Sequence, residues 1–238
     1  MQLVQLVVTV VGVVVSIKWF IHQRKNSELQ IEQPKVNKLV SYMDKLKDYL
    51  TRIDHSCYQA YELNLEKWLP TDMSVDFNNY EREAKDRYRV FIEYLAKYRK
   101  KDDWETIISE YNKYCEELYK KKDDLSKKLK ELLDNNSVVI EEAYNKSSYA
   151  KNNGKIAFIS ELYDIERFLE NYKHRKESSS LDGAWYYIGI QKFDEFINVL
   201  KSDLDEIDKI ITKMDDLINK LIDILDGMSA RLKKDYRL

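Results

Sequence analysis

One run of apolar residues constrains the fold more than any other. Phe193, Ile197, Leu200, Leu204, Ile207, Ile211, Met214, Ile218, Leu221, Leu225, Met228 and Leu232 follow one another at alternating spacings of four and three. That rhythm places all twelve on one face of an α-helix, and it excludes a strand, whose faces alternate every second residue. A two-stranded zipper needs only this seam. Phe196, Ile210, Leu217 and Ile224 add a third heptad position, which widens the stripe to what the core of a multi-helix bundle requires. With a rise of about 1.5 Å per residue, residues 184–234 predict a rod on the order of 75 Å long.

The rest of the chain offers such a helix partners of its own kind. Pro34 suits the first position of a helix, where its missing N–H is an orphan in any case. Val36, Leu39, Met43, Leu46, Leu50, Ile53, Cys57 and Ala60 then repeat the spacing of three and four, and Trp68-Leu69-Pro70 ends the run. Ser74 or Asp76 can cap a helix striped by Tyr80, Ala84, Tyr88, Phe91, Leu95 and Tyr98. The phase shifts near Lys101-Asp102-Asp103, and the pattern resumes at Trp104, Ile108, Tyr111, Cys115, Leu118, Leu125, Leu129 and Leu132. One bent helix and two helices are both compatible with residues 76–133. Asp134-Asn135-Asn136-Ser137 reads as a turn, and Asn152-Asn153-Gly154 as a second break. Between that break and the serines at 178–180, Phe158, Leu162, Ile165, Leu169 and Tyr172 mark one further helix. Five glycines and two prolines among 238 residues argue against a sandwich, a barrel or a glycine-rich phosphate loop.

The N-terminus is of a different character. From Met1 to Ile17 there is no charged side chain. A helix from Leu3 to Ile21 would span roughly 28 Å, close to the thickness of a bilayer core. Lys18 sits where its stem can snorkel to the interface, beside Trp19, an interfacial aromatic. No basic side chain precedes the apolar run, as a cleaved signal peptide would require. Lys18, Arg24 and Lys25 flank its C-terminal side, so the positive-inside rule places the N-terminus outside and the remainder in the cytoplasm. Gly12 and Ser16 form a small-x-x-x-small pair of the sort that lets two membrane helices approach. Two cysteines, Cys57 and Cys115, give no disulfide framework, as expected of a reducing compartment.

The sequence therefore predicts an all-α protein in three parts. Residues 1–22 form a transmembrane anchor, 23–33 a polar juxtamembrane linker, and 34–238 an elongated antiparallel helical bundle with coiled-coil-like seams. The bilayer is its first expected partner.

Chemistry is sparse. Of three histidines, His22, His55 and His174, none has a companion at metal-ligand spacing, and no carboxylate–x–x–His pair of the di-iron type occurs. No cofactor is expected. Asp54-His55-Ser56-Cys57 holds reactive residue types, but neighbours on a helix point in different directions. From Tyr80 to Lys101 the chain carries eight basic residues, Arg82, Lys85, Arg87, Arg89, Lys97, Arg99, Lys100 and Lys101, against four acidic ones. Tyr88, Tyr94 and Tyr98 are interleaved with them. Cations that neutralise phosphates beside rings that stack on bases make a candidate surface for single-stranded nucleic acid. Pairing offers the alternative, since Asn198–Asp226 of the last helix carries eight acidic residues and four basic, and opposite faces of one bundle satisfy each other. Anionic lipid headgroups are a third possible target for whichever basic cluster faces them.

Arg167 and His174, with six residues between them, are similar in spacing to the arginine–histidine pair of HEPN-type ribonucleases, which are also helical. That resemblance implies a histidine acid–base and an arginine on the scissile phosphate. It departs at Phe168, where the family usually has a polar residue. By layout, an anchor followed by cytosolic helices, the chain resembles two kinds of bacterial protein: membrane-anchored spectrin-like division scaffolds, and small membrane-anchored abortive-infection proteins, some of which bind nucleic acid. The expectation is a non-enzymatic interaction protein that meets a cytosolic partner, or a second copy, through its helices. The alternative is a membrane-tethered nucleic-acid binder of phage defence, and a ribonuclease comes third.

Overall fold

The computed structural model describes residues 2–55, 58–65, 77–178 and 180–236. For residues 1–15, for 77–81 and for a few positions between 17 and 29, Lys25 among them, side chains lie outside that description. Every regular element among the described residues is an α-helix: α1 (Gln2–Thr51), α2 (Phe77–Lys97), α3 (Lys101–Asp134), α4 (Ser137–Lys146), α5 (Ser148–Tyr163), α6 (Ile165–Glu177), α7 (Gly183–Ile188) and α8 (Ile190–Tyr236). The chain divides into two compact units. The first comprises Met1–Leu50, Leu65–Lys101 and Ile222–Leu238, and the second comprises Thr51–Asn64 and Asp102–Leu221.

In the first unit the predicted seam of α1 is in place. Val36, Leu39, Met43, Leu46 and Leu50 are buried, with Val40 and Tyr42 beside them. Gln33 reaches the Tyr236 carbonyl at 3.1 Å and Lys47 reaches Asp226 at 2.7 Å. Advancing along α1 thus means retreating along α8, and the two run antiparallel. Ala84, Phe91 and Leu95 of α2 are buried as their spacing required, and Phe91 meets Tyr42 edge-on at 6.4 Å.

Two expectations for α1 need correction. Residues 23–33 are helical, and Pro34 lies inside a continuous helix of 50 residues instead of opening a new one. Proline removes a single hydrogen bond from the ladder, and its exposed position leaves the freed carbonyl open to water. At its other end α1 stops at Thr51, well before Trp68. Neither glycine nor proline marks that end, because the cause is tertiary. The backbone of the connector is taken up by side chains of α3: Tyr119 donates to the Ala60 carbonyl at 2.6 Å, Lys122 to that of Tyr58 at 3.0 Å, and the Asn112 amide pairs with both N–H and C=O of Leu63. The expected helix stop at 68–70 and the caps at Ser74 and Asp76 lie outside the described residues.

The second unit is built on α3 and the N-terminal part of α8. Tyr114 lies against Lys213 and Lys121 against Glu206, while Lys128 reaches Asp203, so these helices are also antiparallel. All twelve seam residues of α8 are buried except the half-buried Ile197, and Phe196, Ile210 and Leu217 of the widened stripe are buried with them. The gap in the α3 pattern between Leu118 and Leu125 is filled by Lys122. Its stem continues the seam while its ammonium bonds Glu166 and the Tyr58 carbonyl. At one end an aromatic cluster closes the core. Trp185, fully buried, has ring centroids of Phe168 and Phe193 within 5.4 Å and that of Phe196 at 6.3 Å.

Residues 76–133 resolve into two helices. Arg99 adopts a left-handed φ of 56°, and the Lys100 N–H closes on the Leu95 carbonyl at 2.9 Å, the C-terminal closure that glycine usually serves. The helix predicted around Phe158–Tyr172 is also two. Asp164 ends α5 and caps α6 by accepting from the Glu166 N–H at 2.9 Å. The break expected at Asn152–Gly154 is a kink inside α5 at Gly154, φ 84°.

Candidate functional site

Charge separates the two units. The first holds 20 Lys and Arg against 14 Asp and Glu, net +6, and the second the other 20 against 28, net −8. The predicted basic–aromatic stretch belongs entirely to the positive unit.

The structure treats its residues unequally. On the N-terminal half of the stretch the cations are occupied locally. Arg87 pairs with Glu83 one turn back, and Arg89 lies 3.5 Å from Asp86. Arg82 and Lys85 also have partners, as do Lys100 and Lys101 at its far end. Tyr88 is half-buried, its ring 6.1 Å from that of Phe91. On the C-terminal half the arrangement is open. Lys97 sits 5.8 Å from the centre of the Tyr94 ring and 5.9 Å from that of Tyr98, and the guanidinium of Arg231, arriving from α8, lies 5.9 Å over the Tyr98 ring. Burial, then the neighbouring Tyr236, pushes the Tyr94 hydroxyl up to about 12. Lys97, Arg99 and Arg231 are exposed, and Tyr94, Tyr98 and Tyr236 half-buried. Sequence spacing alone could not join Arg231 and Tyr236 to this cluster, because the antiparallel course of α8 brings them there.

The anchor residues divide similarly. Leu3, Gly12 and Lys25 lie outside the side chains described. Ser16, Lys18, Trp19 and Arg24 are exposed on α1, as are Phe20 and Ile21. Among the described residues no helix is long and apolar enough to cross a membrane, and most side chains of the segment expected to do so lie outside the description.

Arg167 and His174 both stand on α6. Arg167 donates to Glu170 at 2.8 Å and lines a cavity of about 410 Å³ with Glu161, Asp164 and Asp182. His174 Nδ1 is 3.0 Å from the Asp182 carboxylate. Three carboxylates against one guanidinium repel a phosphate, and each acid has a structural task. Glu161 accepts from the Ala184 N–H at the start of α7, Asp164 caps α6, and Asp182 holds the histidine. The lining gives the ribonuclease resemblance no phosphate site.

His55 is the other histidine with partners. Fully buried, it bridges Asp215 through Nδ1 (2.5 Å) and the Tyr111 hydroxyl through Nε2 (2.8 Å). It pins the connector to α3 and α8 inside the second unit. Cys115 is buried too, and burial pushes its thiol up to about 11, away from nucleophilic use. No three His, Cys, Asp or Glu among the described residues are placed to hold a metal ion. No family model matches this chain, and it has no significant match among curated proteins or solved structures.

Proposed function

We propose that this chain is a single-pass membrane-anchored, non-enzymatic interaction protein, its N-terminus outside and its helical body presented in the cytoplasm to a protein partner or a second copy. The supporting observation is the unbroken course of α1. One helix carries the apolar stretch 2–17, the basic and aromatic flank at Lys18, Trp19 and Arg24, and the core seam from Val36 to Leu50. An address alone would tolerate a flexible tether. A helix continuous from the apolar segment into the core sets the body at a defined height above the headgroups. The test is alkaline and high-salt washing of membranes that contain the full chain, followed by protease treatment of intact cells. Retention with a protected body is expected. Release by alkali overturns the anchor, and digestion from outside overturns the orientation.

One observation favours a second reading, a membrane-tethered nucleic-acid binder acting in phage defence: the net charge of +6 in the unit that contains α2. Binding of the detergent-solubilised full chain to single-stranded DNA and RNA, measured across a salt series, separates the two. A steep salt slope that flattens in an Arg99→Gln/Lys97→Gln variant supports the tether, and no binding at low salt removes it.

A further inference from the structure

We infer that the cluster formed by Lys97, Tyr94 and Tyr98 of α2 with the C-terminal end of α8 is a second membrane contact, one that recognises anionic lipid headgroups. This rests on the anchored reading of α1 and adds to it a surface and a ligand class.

Position is the first argument. The Gln33 side chain donates to the Tyr236 carbonyl at 3.1 Å, so the end of α8 lies level with the twelfth residue after Ile21. Along a helix that is about 18 Å from the edge of the hydrocarbon. Headgroups extend roughly 5–7 Å beyond that edge, so the end of α8 stands about 11–13 Å above them, close to the Debye length of about 8–10 Å over which surface charge acts. Because α8 runs antiparallel to α1, its C-terminus is directed at the bilayer, and Lys233 and Lys234 in its last turn are exposed with no ion-pair partner among the described residues.

Composition is the second. Three half-buried tyrosines, Tyr94, Tyr98 and Tyr236, are interleaved with exposed Lys97 and Arg231. Amphipathic rings among snorkelling cations are the side-chain chemistry of a membrane–water interface. Nucleic acid would use the same cations but would also need rings free to take bases. Here Tyr94 and Tyr98 each already have a cation on the ring face or beside it, an arrangement that suits a headgroup phosphate held by the cation better than a stacked base.

The test places the full chain in vesicles of phosphatidylcholine alone and of phosphatidylcholine with one third phosphatidylglycerol. A donor fluorophore is attached at the C-terminus and an acceptor lipid lies in the leaflet facing the body. Energy transfer is expected to be higher in the anionic vesicles, with the rise lost in high salt and in Lys233→Gln/Lys234→Gln/Arg231→Gln. The same charge change at Lys201, Lys209 and Lys220, all exposed in the acidic unit, should leave the rise intact. Flotation after alkaline washing is scored first. Loss from both vesicle types overturns the anchor and this inference with it. Retention in both with equal transfer overturns the inference alone. So does a single-stranded oligonucleotide that binds the inserted chain in neutral vesicles through the same three cations and abolishes the rise in anionic ones.

Discussion

The two units of this protein use the same residue types in opposite ways. In the acidic unit, polar side chains are spent inward. Lys122 reaches across to Glu166 and a backbone carbonyl, His55 bridges Asp215 and Tyr111, and Arg175 clasps Asp194 with two bonds at 2.9 and 2.8 Å. In the basic unit, Lys97 and Arg231 lie over tyrosine rings that remain half open to solvent, and Lys233 and Lys234 face outward. These pairs hold the fold of the acidic unit together, whereas those four cations of the basic unit remain at the surface. The comparison ties cohesion to buried pairing.

That contrast can be broken or sharpened by substitution. The largest effect is expected from Trp185→Ala, which empties the space between Phe168, Phe193 and Phe196. Chemical denaturation should show a loss of about 3–5 kcal/mol. The two partnered histidines come next and make a matched pair. Changing buried His55 to alanine removes its bonds to the Tyr111 hydroxyl and to Asp215, at a cost of about 2–3 kcal/mol. Exposed His174, also bonded to a carboxylate, should cost within about 0.5 kcal/mol. Equal losses at the two sites would refute the assignment of cohesion to buried pairing.

Alkaline pH offers a further handle. The Tyr163 hydroxyl, through its bond to Asp134 at 2.5 Å, is pushed up to about 12 from an ordinary 10. Its proton is held more tightly in the folded chain, so its contribution is complete below pH 10 and disappears as pH rises through 12. Melting temperature should fall across that window, and less steeply in Tyr163→Phe. The smallest effect is a gain. Arg99 sits at a left-handed φ of 56°, and Arg99→Gly should raise stability by up to about 1 kcal/mol. If it also lowers energy transfer to anionic vesicles, Arg99 belongs to the contact surface as well.

Most of the helical architecture was readable because it is periodic. The α8 stripe, the first half of the α1 seam and the α2 stripe all depend on one local fact, 3.6 residues per turn, that sequence spacing records directly. The errors fall where distant residues decide. Thr51 ends α1 because Asn112, Tyr119 and Lys122 capture the backbone beyond it. Arg99 makes a break with no glycine to announce it. Asp164 is a capping residue followed three positions later by an arginine, so it lacked the glutamate of a full capping box and read as mid-helix. Lys122, a charge at a seam position, read as a gap. The basic–aromatic stretch was legible as composition, but its division into an occupied half and an open half depends on α8, more than a hundred residues away.

On the anchored reading proposed above, the continuity of α1 through Pro34 would have a mechanical consequence. From Ile21 to Leu50 there are 29 residues of one helix, a lever of about 44 Å. Membrane helices are tilted by about 20° on average from the bilayer normal, and tilting is one response to a mismatch with bilayer thickness. Swung through that angle, the far end of such a lever travels about 15 Å. On that reading the tilt of the helix would be converted into a sideways position of the far end of α1.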